Sequence, residues 1–362
     1  MTPQQAANPA GEVLIRIDPA QPLERRFTVR SLRPVTAAKV FVGRSLADTV
    51  DALPRLYNVC GGAQAVATLS ACEMAGDLTP DPRTVAARSL LLRVEAIREH
   101  IWRILIDWPN ALGLPSDPAP VATVMGIDRA LRETLPGAFT LAGTLATIPT
   151  SPLESLRKIA TEHVFGSATI AAIEDRIGAL GWQSLGRAPT HPLPNVDLAT
   201  WNACLRDDPH GQFAAEPTLN AQCCETGPLA RRAGRGSPGD STVGLPERWH
   251  ARLHELASLL NDEFTLSHMA WCPKPGHGIA TVEAARGTLI HRVEQRNGRV
   301  TRYQIVAPTE WNFHPRGVLS QSLAALDDTD PDTLMRQTRA LVTAIDPCVA
   351  YRVEFVGDAT DA

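Results

Sequence analysis

Seven cysteines carry most of the chemistry open to this chain of 362 residues; they stand at positions 60, 72, 204, 223, 224, 272 and 348. A thiolate is a soft ligand suited to iron and other thiophilic metals, and a bound metal lowers the pKa of the thiol. The spacing excludes two common uses. No Cys-x-x-Cys pair occurs, so a structural zinc site is not signalled. An odd number of scattered cysteines is also not the framework of a small secreted disulfide protein. Cys223 and Cys224 are adjacent, and neighbouring side chains point in different directions from most backbones. Two small apolar fillers is the plainer reading of that pair, and a metal or redox role is the alternative. His250 and His254 lie one helical turn apart, a spacing that can bind a metal. No third ligand follows from spacing, and a solvated helix face fits them better.

The elements that must position these groups are mostly helical. Leu46, Val50, Leu53 and Leu56, then Val66, Leu69 and Cys72, recur at three- and four-residue steps. Pro54 and the Gly61-Gly62 pair interrupt that pattern and put Cys60 at a break between helices, free to face inward. A second helix is expected from Thr84 to Asp107, between Pro82 and Pro109. Further helical pattern spans Glu154 to Leu180, Leu245 to Asn261 and Pro331 to Ala344. Thr288 to Gln295 and Arg299 to Val306 are rich in β-branched and aromatic residues and flank Asn297-Gly298, a pair suited to a tight hairpin turn. The fold class is therefore mainly α with a small antiparallel β-sheet (α+β). Residues 1–362 are read as one domain, with 181–244 as an irregular, partly mobile segment within it. The end of that segment, RRAGRGSPGDSTVG (Arg231 to Gly244), reads as an exposed loop.

Composition narrows the function classes. A formal net charge of −4 gives no reason to invoke nucleic acid or an anionic membrane surface. No apolar run approaches the roughly 20 residues that span a bilayer. The start, MTPQQAANPAGEV, lacks the basic and apolar regions of a secretory signal, so a cytoplasmic protein without membrane insertion is expected.

Several segments resemble the nickel–iron hydrogenase large subunit, in that family's order. YNVCGGAQAVATL (Tyr57 to Leu69) and IDPCVAYRVEF (Ile345 to Phe355) are similar to its two active-site motifs. ETGPLAR (Glu225 to Arg231) is similar to its EVGPLAR stretch. The run Gly276 to Gly317 is similar to EAPRGxLxH, a turn, YQxVxPTxWN and a PRD-like end. IRIDPAQ (Ile15 to Gln21) resembles RIEGH weakly, with Asp18 at the glutamate, and the match is too poor to give Asp18 a proton-transfer role. Among relatives the pattern resembles most the HupK/HoxV group, accessory proteins of hydrogenase maturation.

In the large subunit each motif is a Cys-x-x-Cys pair, and the four thiolates hold nickel bridged to iron. The resemblance places Cys60 and Cys348 at the first, terminal position of each pair. The bridging positions hold Ala63 and Tyr351, neither of which supplies a thiolate. A tyrosine at 351 is further expected to fill the space of a second metal. The resemblance thus implies no nickel and no hydrogenase catalysis. Two thiolates remain to hold a transient iron carrying two cyanides and one carbon monoxide. Arg286, in Glu283 to Gly287, stands at the arginine that donates to a diatomic ligand of that iron; Ala285 replaces the family's proline and leaves the loop less rigid. His291 stands at the histidine of RGxLxH and is read as structural. The implied function is a scaffold or chaperone that relays the iron fragment to a hydrogenase large-subunit precursor, meeting HypC/HypD-type assembly proteins on the way. A cofactor-free assembly chaperone is the alternative, and a hydrogenase of unusual ligation is disfavoured by the missing bridges.

Overall fold

The apolar pattern after Ser45 becomes two helices, Leu46–Leu56 and Gly61–Gly76, in a computed structural model that describes residues 11–57, 60–233 and 242–356. Ser45 Oγ caps the first by accepting the Asp48 N–H at 3.0 Å. Pro54 does not break this helix. It lies in the last turn, where the loss of one backbone hydrogen bond is tolerated, and the break follows Leu56. The second helix has no solvent face: thirteen of its sixteen residues are buried, as its run of Ala, Gly and Ser allows. It lies directly on the strand His277–Ala284. A Cβ at Gly278 would come within 1.9 Å of the Ala71 carbonyl oxygen, so the close approach requires glycine there.

That strand belongs to a four-stranded antiparallel sheet in the order His268–Trp271, His277–Ala284, Gly287–Arg296, Arg299–Val306. Asn297 and Gly298 turn the expected hairpin with φ of 53° and 74°. A second sheet lay outside the sequence expectation. Glu12–Ile17 pairs antiparallel with Phe27–Ser31 and parallel with Ala350–Phe355, with Glu12 opposite Ala350 and Ile17 opposite Phe355. Val13, Ile15 and Ile17 point into the core on one side of this mixed sheet. The pairing brings two distant ends of the chain together, and with them the segments that precede and carry the two cysteine motifs.

The remaining helices wrap these sheets. Pro82–Trp102 is capped by Asp81, whose carboxylate accepts the Arg83 N–H at 2.8 Å. It continues as a wide π-type turn, Arg103–Asp107, into Trp108–Leu112, so Pro109 sits in a first helical turn and does not end the run. Leu245–Leu260 packs Trp249 against Trp108, ring centroids 4.8 Å apart. Pro331–Ile345 leads into the second cysteine motif. No helix among the described residues is long and apolar enough to cross a membrane.

The segment 181–244 is less irregular than expected. Leu198–Arg206 is a helix that buries Trp201 edge-on to Trp311 at 5.8 Å. Residues 234–241 of the expected loop lie outside the described residues. Arg231, read as the loop's start, belongs to the helix Pro228–Arg232, and its side chain is buried. Its guanidinium bonds Glu255 at 2.6 and 2.7 Å and Glu283 at 2.7 Å. The basic run therefore divides: its first arginine neutralises two buried carboxylates and is unavailable to a partner.

Candidate functional site

Cys60 and Cys348 meet. Both are buried, and their sulfurs are within hydrogen-bonding reach of each other. Cys60 occupies the position before the first turn of Gly61–Gly76. The exposed N–H groups of that turn are satisfied by Glu95 of the neighbouring helix, which accepts from Gly62 at 2.7 Å and from Ala63 at 2.9 Å. Glu95 is in turn ion-paired with Arg132 at 2.8 Å. A Cβ on Gly62 would fall 2.7 Å from both groups, so this glycine is what lets the carboxylate reach the helix end. Cys348 follows Asp346, a non-glycine residue held at φ 65°. Its backbone N–H donates to Thr309 Oγ1 at 3.0 Å. The Thr309 hydroxyl, 2.8 Å from Cys348 Sγ, therefore has its proton free to donate to sulfur.

The charges around the pair favour one thiolate. The Cys60 thiol donates to Cys348, and that bond holds the Cys348 pKa well below the usual thiol range; burial opposes it, and Arg33, Thr309 and Arg286 reinforce it. The same contact and burial push Cys60 up. Arg286 is buried and ion-paired, not at the surface. Nε donates to Asp346 Oδ1 at 2.9 Å; Nη2 lies 2.9 Å from Glu99 Oε2 without hydrogen-bond alignment. Nη1 has no hydrogen-bond partner among the described residues. Burial alone would lower the Arg286 pKa, but Asp346 and Glu99 outweigh it and hold the guanidinium charged. The turn carrying it is pinned despite Ala285. Ala285 O accepts from Arg231 at 3.2 Å, and a Cβ on Gly287, at φ 129°, would lie 2.4 Å from Thr226.

A second guanidinium, Arg33, approaches from the other end of the chain. It follows the strand Phe27–Ser31, stacks over the Tyr57 ring at 4.6 Å and stands 3.5 Å from Glu310 Oε2. Behind Cys60 the Gln64 amide donates to Sγ at 3.8 Å. Gln64 Oε1 lies 3.0 Å from His291 Nε2, and a carbonyl oxygen only accepts, so the proton sits on Nε2. His291 Nδ1 then accepts from Tyr303 Oη at 2.9 Å. Burial drives His291 down to about 3, so it is neutral. The structural reading of His291 fits: it orients the amide that touches Cys60.

Other candidates are placed apart. Ala63 is buried with only a methyl group to offer. Tyr351 does not fill the site. It lies on the strand Ala350–Phe355, is 37% exposed, and lines an open surface cavity of about 650 Å³ with Arg103, Asp107 and Arg339. The parallel pairing with Glu12–Ile17 turns the chain after Cys348 away from the sulfur pair. Asp18 follows the strand Glu12–Ile17 and lies in a surface groove with Arg16, Arg25 and Arg30. His250 and His254 are exposed, His250 at 3.3 Å from Glu174. Cys224 is buried in an apolar cluster with Trp201 and Trp311, and Cys223 stands 3.2 Å from His314 Nδ1. Among the described residues no group of three or more His, Cys, Asp or Glu is arranged to hold a metal, and a metal entering this site would meet the sulfurs of Cys60 and Cys348. The orphaned Arg286 donor fits an anionic ligand carried in with the metal.

Residues 219–353 match the family model for nickel-dependent hydrogenase. The fold matches the nickel–iron–selenium hydrogenase of D. vulgaris Hildenborough at TM-score 0.63 and 17% identity, over 89% of this chain and 92% of that one. An NAD+-reducing nickel–iron hydrogenase matches at TM-score 0.57 and 16% identity, over 89% and 92%. Hydrogenase expression/formation protein HupK of Bradyrhizobium diazoefficiens is 31% identical over 90% of this chain and 91% of its own. The corresponding HoxV protein of Cupriavidus necator is 30% identical over 91% and 94%. The class is that of the hydrogenase large-subunit fold. Within it, the chain belongs to the HupK/HupV/HoxV family of hydrogenase expression/formation proteins.

Proposed function

We propose that this protein is a non-catalytic scaffold of hydrogenase maturation. It holds an iron fragment bearing two cyanides and one carbon monoxide between Cys60 and Cys348 and passes it to a large-subunit precursor in the cytoplasm. The observation that carries the reading is the buried pair of cysteine sulfurs together with Arg286, a buried guanidinium whose Nη1 has no hydrogen-bond partner among the described residues. A buried guanidinium N–H left without a partner is costly, and an anionic cyanide nitrogen would satisfy it. Two thiolates suffice for an iron that arrives with three ligands of its own, and the missing bridges at Ala63 and Tyr351 leave a second metal without protein ligands. Assembly proteins of the HypC/HypD type would supply the fragment. Infrared absorption in the cyanide and carbon monoxide region, on protein purified from a hydrogenase-expressing host, tests the reading. Bands at near-unit iron, without nickel or hydrogen turnover, are expected. Bands missing from the wild type would leave a cofactor-free assembly chaperone, and near-unit nickel with hydrogen activity would make the chain an enzyme.

A further inference from the structure

The Arg33 side chain is only 5% exposed, yet Nη2 has no hydrogen-bond partner among the described residues. Its nearest carboxylate, Glu310, also accepts from the Ala307 N–H at 3.2 Å and the Ser31 hydroxyl at 3.4 Å. Buried guanidiniums are normally satisfied through their fixed fork of donors. Here Arg33 leaves Nη2, and Arg286 both Nη1 and Nη2, without a hydrogen bond among the described residues, and both guanidiniums act electrostatically on Cys60 and on Cys348. They come from separate walls: Arg33 packs on Tyr57 and Glu310, Arg286 on Glu99 and Asp346. Arg286 is only partly compensated, because Asp346 also serves Arg103 and Arg252, and Glu99 also serves Arg98.

We infer that Arg33 is a second anion-binding residue of this site, so that Arg33 and Arg286 together select a metal fragment bearing two negatively charged diatomic ligands over a bare divalent cation. The inference rests on the reading proposed above and adds its selectivity. A divalent metal on two thiolates makes a neutral complex, which offers no anionic acceptor to the guanidinium nitrogens that Glu310, Asp346 and Glu99 leave without a hydrogen bond. Ferrous iron with two cyanides on the same thiolates makes a dianion, matching two cations and offering one acceptor nitrogen to each. Arg33 thus favours the fragment and gives a bare cation nothing.

The test compares wild type, Arg33→Gln and Arg33→Lys by two measurements. The first is infrared band intensity per protein after purification from a hydrogenase-expressing host. The second is titration of metal-free protein with Co2+ alone, read by thiolate-to-cobalt absorption. Losing one charge-assisted hydrogen bond should cut fragment retention in Arg33→Gln by roughly ten- to a hundredfold. Co2+ should bind that variant at least as tightly as wild type, which also reports an intact sulfur pair. Arg33→Lys, keeping the charge, should retain more of the bands. Full bands in Arg33→Gln would overturn the selectivity while leaving the scaffold reading standing. Parallel loss of bands and cobalt would reduce Arg33 to a structural prop. A wild type without bands would remove the scaffold reading, and this inference with it.

Discussion

Asp346 Oδ1 accepts a hydrogen bond from Arg286 Nε at 2.9 Å while the Asp346 backbone is held at φ 65°, two residues before Cys348. One carboxylate therefore fixes both the orientation of Arg286 and the path of the chain into the sulfur pair. It also lies 2.9 Å from Arg103 and 3.2 Å from Arg252. Burial would raise its pKa, but Arg103, Arg286 and Arg252 hold it well below the usual carboxylate range. Asp346→Asn keeps the shape and leaves three cations short of an anion. Breaking a buried ion pair in this way costs about 3–5 kcal/mol. Equilibrium urea unfolding checks this, and a loss under about 1 kcal/mol would show that the arginines find other partners.

The sulfur pair should act as one unit. Cys60→Ser and Cys348→Ser each replace a soft, ionisable ligand by a hydroxyl of very high pKa, so each should abolish most of the cyanide and carbon monoxide infrared intensity. Cys204 is half-buried and Cys272 exposed, so their serine variants serve as controls that keep the bands. Cys72 is a poorer control because it is fully buried, where a hydroxyl without a partner is destabilising. Full bands in both site variants would show that neither sulfur holds the fragment.

Much of this site was legible from residue types and family-like segments. Cys60, Cys348 and Arg286 do converge, and the Asn297-Gly298 hairpin that supports the Arg286 turn was readable from its turn chemistry. What surrounds them was not. Arg33, Glu95, Glu99 and Gln64 are charged or polar residues spread over two helices and a loop, and nothing local marks them as buried together. Gln64 alone carried a signal, one helical turn after Cys60. Thr309 and Asp346 stood inside quoted motifs, yet only tertiary contacts reveal what they bond. The mixed sheet escaped because Glu12–Ile17 and Ala350–Phe355 are short, and their parallel pairing is non-local. That same pairing sends Tyr351 outward, which its place in the motif did not foretell.

Restoring a cysteine at that position should therefore not restore a bridge. Tyr351→Cys would place a thiol on the strand facing the cavity lined by Arg103, Asp107 and Arg339, away from Cys348. It should react rapidly with a maleimide under native conditions, while Cys60 and Cys348 react slowly. Nickel content should stay at the wild-type level. Slow labelling together with stoichiometric nickel would mean that the strand turns inward.

Glu310 gives the stability profile a recognisable slope. Burial raises its pKa from 4.5 to about 7, only partly offset by Arg33. A carboxyl group whose folded pKa is raised contributes stability that is complete below the unfolded value and lost as pH rises through the folded one. Glu310 should thus make the protein less stable between about pH 4.5 and pH 7, by an amount on the order of a few kcal/mol. Glu255 works in the opposite direction. Burial would raise it, but Arg231 and His100 hold it at about 2, so its contribution is present above pH 4.5 and fades as pH falls toward 2. Unfolding free energies measured across both windows should pass through a maximum between them. Glu310→Gln should flatten the neutral side and leave the acid side unchanged. An unaltered neutral slope in that variant would assign the loss to other groups and return Glu310 to an ordinary ionised carboxylate paired with Arg33.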